Sequence, residues 1–322
     1  MKKATFITII AALLLLVSCN VDSEHGIYYQ VSTAQPSSGI NIIKALRFDD
    51  DPVNVHYFLA DDGICYTSET KGDTEYVNGS KGKNIRGAYY DYGSLYFYYS
   101  NADGAVYQLD PESGESTLVP DYEGYKFEVS PTGYVYNSSN YSQISSLTVY
   151  EADPAISSPR FSNSVMLSMD GTTKAILYNG SSSKTIEGFS GKSTGFLVGT
   201  GDSTYFFNGK KVYSLASDKT SLSDASWSTE LEEAPTGGYT AVEFYDGSVS
   251  CLLVRTSKGF TKIRKSDGAV IAKNVQFLSS LNDVVVVDMY TTDNDSKVAI
   301  VTYANGIRIA DMAEETLKDD IL

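Results

Sequence analysis

Leu59-Ala60-Asp61-Asp62-Gly63-Ile64-Cys65-Tyr66 sets an Asp-Gly pair between two strand-like runs, and the same idea returns along the chain. It recurs as Tyr89-Tyr90-Asp91-Tyr92-Gly93-Ser94-Leu95-Tyr96 and as Phe127-Glu128-Val129-Ser130-Pro131-Thr132-Gly133-Tyr134. Met166-Leu167-Ser168-Met169-Asp170-Gly171, the looser Leu197-Val198-Gly199-Thr200-Gly201 and the clear Val242-Glu243-Phe244-Tyr245-Asp246-Gly247 continue the series. Glycine behind a short polar residue supplies the positive φ that a tight hairpin turn requires. Between the turns the chain is rich in Tyr, Val, Ile, Phe and Thr, the residues that suit a pleated surface packed on its faces.

The glycines Gly63, Gly93, Gly133, Gly171, Gly201 and Gly247 are spaced 30, 40, 38, 30 and 46 residues apart. A second hairpin signal follows most of them, as in Leu109-Asp110-Pro111-Glu112-Ser113-Gly114-Glu115 and Ile263-Arg264-Lys265-Ser266-Asp267-Gly268. A period that wanders near forty residues, with several short strands per unit, predicts an all-β chain folded as a β-propeller. Each four-stranded blade leaves two apolar faces uncovered, and stacking blades in a ring covers them. The units fall at 54–82, 85–120, 125–157, 164–188, 193–222, 239–272 and 274–311, giving seven blades with six or eight as alternatives. Ile27–Val31 and Ile40–Phe48 are strand-like leftovers, one of which is expected to pair with the last blade and close the ring. A β-sandwich or a pair of β-domains is the competing architecture.

Ser130-Pro131-Thr132-Gly133 and Ser168-Met169-Asp170-Gly171 resemble the Ser-Pro-Asp-Gly turn of TolB-like and WD-repeat propellers. Asp110-Pro111-Glu112-Ser113-Gly114-Glu115 is similar to a turn of quinoprotein-like propellers, although the single Trp227 excludes their tryptophan-docking pattern. These are turn motifs. The resemblance implies architecture and brings no catalytic residues with it.

The N-terminus has a separate logic. Met1-Lys2-Lys3 is basic, and Ala4–Val17 is apolar apart from two threonines. As a helix that run would rise about 21 Å, short of the ~30 Å hydrocarbon core, which fits an export signal better than a membrane span. Leu16-Val17-Ser18-Cys19 resembles the lipobox of bacterial lipoproteins. The resemblance implies a signal peptide over 1–18, lipidation of Cys19, a tether over 19–26 and a single propeller domain over 27–322. Asn20 in place of Asp then favours the outer membrane or cell surface over the inner membrane. A plain secreted protein with a cysteine at this place is the alternative.

Composition bounds the chemistry. The 322 residues carry 25 Lys+Arg against 40 Asp+Glu, a net charge of −15, which argues against nucleic acid as partner. Cleavage before Cys19 leaves 23 Lys+Arg against 40 Asp+Glu, a net charge of −17. His25 and His56 have no second ligand at metal spacing. Asp49-Asp50-Asp51 and Asp293-Asn294-Asp295 lack the frame of a calcium loop, so no metal or cofactor is expected. No G-x-S-x-G elbow and no sialidase box occurs, so no catalytic residue stands out. Cys65 and Cys251 read as strand residues packed between blades.

Three aromatics are the candidate binding residues: Tyr90 and Tyr92 at a blade tip, and Trp227 in a polar linker spanning 217–238. The reading that results is a membrane-anchored envelope lipoprotein whose propeller is a non-catalytic binding or scaffolding module for protein or glycan. A propeller enzyme acting on glycans through a dispersed carboxylate site is the second reading, and an envelope assembly factor is a third that rests on fold analogy alone.

Overall fold

Runs such as Cys251-Leu252-Leu253-Val254 are apolar at every position, and all four residues are fully buried. In a strand, alternate side chains point to opposite faces, so such a run needs cover on both sides. Cys251 and Leu253 pack with Val298 and Ile300 from the sheet that follows. Leu252 and Val254 pack with Tyr205 and Phe207 from the sheet that precedes. A stack of sheets, each sandwiched between two neighbours, follows from that alternation.

The computed structural model describes residues 39–46, 55–68, 74–91, 95–101, 105–119, 127–129, 135–137, 143–145, 148–150, 160–162, 165–179, 182–191, 193–236, 241–275, 285–292, 297–303, 307–312 and 316–321. These form seven four-stranded antiparallel sheets, each built from four consecutive strands in simple meander order. In chain order, sheets 1 to 7 span residues 42–76, 85–118, 127–150, 160–187, 193–230, 241–275 and 286–321. Apolar cores lie between sheets 4 and 5, 5 and 6, 6 and 7, 7 and 1, and 1 and 2. The inner strand of sheet 3 (Phe127–Val129) touches that of sheet 2 (Ile85–Asp91). The fold is all-β, with antiparallel sheets arranged as a β-propeller.

Among the described strands, sheet 7 meets sheet 1 without exchanging one. Of the two segments expected to supply a closing strand, Ile27–Val31 lies outside the described residues, and within Ile40–Phe48 the stretch Ile42–Leu46 is the inner strand of sheet 1, paired with Val55–Ala60. The outer strand of sheet 7 is Thr316–Ile321, so both sheets are complete from local sequence. The seam is held by a backbone hydrogen bond from Ile42 N to Tyr303 O at 2.7 Å. Across it, the buried Asp288 carboxylate accepts the Ala45 N–H at 3.1 Å, and the Tyr290 hydroxyl lies 2.6 Å from His56 Nδ1. Ile42, Phe58, Cys65, Val301 and Ile307 fill its apolar part.

The period wandered because the glycines occupy two different turns. Gly63 and Gly171 join second to third strands, whereas Gly201 and Gly247 join inner to second strands. The inner strands begin at residues 42, 85, 127, 160, 193, 241 and 286. Gly171 and Gly247 take φ of 68° and 89°, the left-handed conformation their turns need. Gly93 and Gly133 lie outside the described residues, as do residues 1–38.

A rim contact recurs three times. The Asn78 amide, just past the outer strand of sheet 1, donates to Glu112 O in the last turn of sheet 2. Lys184, on the outer strand of sheet 4, donates to Ser217 O in the last turn of sheet 5. Trp227, on the outer strand of sheet 5, donates from Nε1 to Lys265 O in the last turn of sheet 6. At these three places a sheet leans its last turn on the sheet before it.

Asp288→Ala strands the Ala45 N–H at the closing seam. Leaving a buried donor unpaired costs about 1–3 kcal/mol, so denaturant unfolding should show a loss of that order. A midpoint equal to that of the unmodified protein would contradict the role given to Asp288.

Candidate functional site

The turn from the inner to the second strand of sheet 5 contains Gly199-Thr200-Gly201-Asp202. A Cβ on Gly199 would lie 2.5 Å from Glu243 Oε1 and 2.7 Å from Tyr205 Cε2, so only glycine admits the neighbouring sheet this closely. Glu243, on the inner strand of sheet 6 (Ala241–Tyr245), uses the approach. Its Oε2 accepts the Thr200 N–H and hydroxyl, each at 2.7 Å. Its Oε1 pairs with Lys265 Nζ at 2.6 Å, and Lys265 also donates to the Thr200 hydroxyl at 3.1 Å. Burial, then the charge of Glu243, pushes the Tyr205 hydroxyl well above the ordinary tyrosine range. The turn is thus locked to sheet 6 by a charge-assisted network.

The other side of the same turn is the wall of a groove between sheets 4 and 5, with a volume of about 550 Å³. Its floor is apolar, formed by Val165, Leu177, Val198 and Leu215. Its rim is polar, formed by Asn179, Ser182, Ser183, Lys184, Asp202 and Ser217. A half-open cleft with an apolar floor and a few convergent polar groups is the common form of a ligand site. Residues 217–224 brace it from outside, since Glu187 N donates to Thr220 O and Glu187 bridges Ser221 in parallel.

A second ion pair lies in sheet 6. Asp246 Oδ2 sits 2.8 Å from Lys262 Nζ, with the two side chains only 9% and 6% exposed. Asp246 Oδ1 accepts from Ser248 N, Ser248 Oγ and Val249 N, which closes the turn around Gly247. Burial alone would push this carboxyl up; the hydrogen bonds from Lys262, Val249 and Ser248 outweigh it and hold the group well below the usual carboxylate range. Burial also raises the Cys251 thiol to about 11 and the Cys65 thiol to about 12, so both are held as thiols in the core.

Two of the three aromatics singled out in the sequence, Tyr90 and Trp227, are placed differently from expectation. Tyr90 is buried, its ring 4.4 Å from that of Phe97 and 5.4 Å from that of Tyr57, so it is a core residue of the seam between sheets 1 and 2. Trp227 opens the outer strand of sheet 5 (Trp227–Glu230) rather than lying in a linker, and it is spent on the rim contact and on packing beside Tyr205. Tyr92, Cys19, His25, Asp49-Asp50-Asp51 and Asp293-Asn294-Asp295 lie outside the described residues. His56 is buried against Tyr290, and Cys65 and Cys251 are free and buried, as strand positions between sheets demand. No group of three His, Cys, Asp or Glu side chains converges among the described residues. Sequence reading missed the groove and the Glu243 lock. Gly199, a second glycine in the same turn as Gly201, was the available signal.

No protein-family model matches the chain, and no curated protein sequence matches it. Solved structures match it in fold. The WD40 β-propeller domain of Doa1 aligns with a TM-score of 0.52 at 11% identity, covering 84% of this chain and 96% of that one. PorZ of Porphyromonas gingivalis, described as an essential bacterial surface component of the type-IX secretion system, aligns with a TM-score of 0.52 at 12% identity. That alignment covers 87% of this chain and 38% of PorZ. U3-55K aligns with a TM-score of 0.52 at 9% identity, covering 82% and 89%. At such identities the likeness is one of fold.

Removing one partner of a buried ion pair costs about 3–5 kcal/mol, whereas an exposed pair contributes about 0–1 kcal/mol. Asp246→Ala should therefore lower the unfolding free energy far more than Lys174→Ala, whose pair with Glu187 is 46% and 58% exposed. The stabilisation from a lowered carboxyl is complete above its unfolded-state value of about 3.9 and declines as pH falls toward the folded-state value. Acid unfolding of the intact protein should thus steepen below about pH 4, and Asp246→Ala should flatten that limb. Equal losses for the two variants would refute the assignment.

Proposed function

We propose that this protein is a cell-envelope lipoprotein, anchored through lipidated Cys19, whose seven sheets close into a seven-bladed propeller serving as a non-catalytic binding or scaffolding module. The groove between sheets 4 and 5 is its binding surface, and it is the observation that carries the reading. The groove's wall is fixed in advance by Glu243, so an incoming segment meets an ordered surface and the entropic cost of binding falls. Among the described residues Asp202 is the one carboxylate lining the groove, and Glu243 behind its wall and Asp246 in sheet 6 are each committed to a lysine. That supports binding over hydrolysis, which would need a pair of carboxyls free to act as acid and base.

The apolar floor and the hydroxyl- and amide-rich rim suit an extended peptide or a glycan in the envelope. A net charge of −15 favours either over nucleic acid. The lipobox-like Leu16-Val17-Ser18-Cys19 supports export and anchoring, with the outer membrane or cell surface as the place. The fold likeness to a bacterial surface component is consistent with that place.

Two measurements test the parts separately. Cys19→Ala should abolish incorporation of radiolabelled lipid and move the protein from the membrane to the soluble fraction; unchanged labelling would sink the anchor. A photo-crosslinking residue at Ser183, on the groove rim, should yield a discrete adduct in intact envelopes, while one at Thr172, in an exposed turn at the other end of sheet 4, should not. Equal adducts from both positions would remove the groove as the binding surface.

A further inference from the structure

The end of the fold opposite the groove wall carries a different surface. Ile43 is 46% exposed, Val285 62% and Tyr303 40%. They come from the start of the inner strand of sheet 1, the start of the inner strand of sheet 7, and the turn after the second strand of sheet 7. A chain of backbone hydrogen bonds makes them neighbours. Ile42 N donates to Tyr303 O at 2.7 Å and Tyr303 N donates to Val285 O at 2.8 Å, while Asp61 N donates to Asn41 O at 3.0 Å on the far side. The three apolar side chains therefore rise from one continuous strip of backbone where the ring closes.

That strip is also where residues 1–38 join the described fold, because Gly39 leads directly into Ile42. Twenty peptide units separate Cys19 from Gly39, and fully extended they reach at most about 70 Å. A lipid at Cys19 thus holds this end of the fold within a short radius of the bilayer. Tethering over such a span raises the effective concentration of the surface to about the millimolar range, at which a patch too weak to bind from solution is occupied.

We propose that Ile43, Val285 and Tyr303 rest on the lipid surface, so that the end of the fold bearing the closing seam faces the membrane. The inference rests on the lipidation of Cys19. Tyrosine suits the place, since its ring is apolar and its hydroxyl stays hydrated at the headgroup level. Asp61 and Asp62 in the adjoining turn border the patch together with Lys81 and Lys83, since Gly82 N donates to Asp62 O at 2.7 Å. The border is balanced in charge, so contact is apolar rather than electrostatic and persists in salt.

The test uses the full lipidated chain, in which Cys65 and Cys251 are fully buried and unreactive. Val285→Cys carrying an environment-sensitive dye is reconstituted in vesicles of phosphatidylethanolamine with doxyl-labelled lipid. Tyr245→Cys, 43% exposed at the opposite end of sheet 6, is the control. The dye at position 285 should be quenched at least threefold more than at 245, and Ile43→Asp with Tyr303→Asp should abolish the difference while leaving lipid labelling of Cys19 intact. Equal quenching with Cys19 labelled overturns the orientation alone. Absence of Cys19 labelling overturns the anchor on which it rests. Protection of position 285 in native envelopes but not in vesicles would assign the patch to a protein and also overturn the proposal.

Discussion

A sheet that is apolar on both faces cannot end a stack, and the junction of sheet 7 with sheet 1 is where this constraint is met. No described strand crosses that junction. Its backbone component is the bond from Ile42 to Tyr303, and its polar side-chain component is Asp288 with Ala45 and Tyr290 with His56. The Asp288–Ala45 contact joins residues 243 positions apart. Contacts of that separation carry a loop-closure cost in entropy that local contacts do not. The apolar fill of Ile42, Phe58, Val301 and Ile307 is what makes the closure favourable, and the polar pairs fix its register.

The rim contacts extend the same economy outward. Outer strands of propeller sheets are short and lie at an edge, where unpaired backbone groups invite unwanted pairing. Here a side chain on or just past an outer strand donates to the next sheet's last turn in three places, through Asn78, Lys184 and Trp227. In sheet 5 the connection lengthens to residues 217–226 and lies along the outer strand of sheet 4, covering that edge more fully. Ser217, the first residue of this connection, stands on the rim of the groove.

Much of this was legible in the sequence, for physical reasons that differ by residue. Runs such as Cys251–Val254 and Tyr205–Phe207 announce burial on both faces, and that alone implies sheets between sheets. The turn glycines announce hairpins but not which hairpin, since the inner and the middle turns both require positive φ; hence the repeat was legible while the boundaries of its units were not. Trp227 was misplaced because its strand, Trp227-Ser228-Thr229-Glu230, alternates burial too weakly over four residues to stand out from a polar linker. Tyr90 was misplaced because a tyrosine beside a turn is exposed only if the adjoining sheet leaves it so, and Tyr57 does not. The Glu243 lock was not legible at all. Glu243 is 43 residues from Thr200 and 22 from Lys265, and nothing local distinguishes these polar residues from others in acidic turns.

The two ends of the fold are chemically unlike, and that asymmetry bears on how the parts would work together. Turns from inner to second strands hold the locked Thr200 turn and the Asp246 turn, both knit by carboxylates to neighbouring lysines or backbone donors. The opposite end holds the closing seam and its exposed Ile43, Val285 and Tyr303. A module tethered at the second end presents the first to the aqueous space, with the groove open and its wall already rigid. Binding there then requires neither detachment from the lipid nor disturbance of the seam. A ligand seated between sheets 4 and 5 instead works against sheets held by their own core and by the brace of residues 217–224. Its effect on stability is therefore local to that core, far around the stack from the junction that closes it.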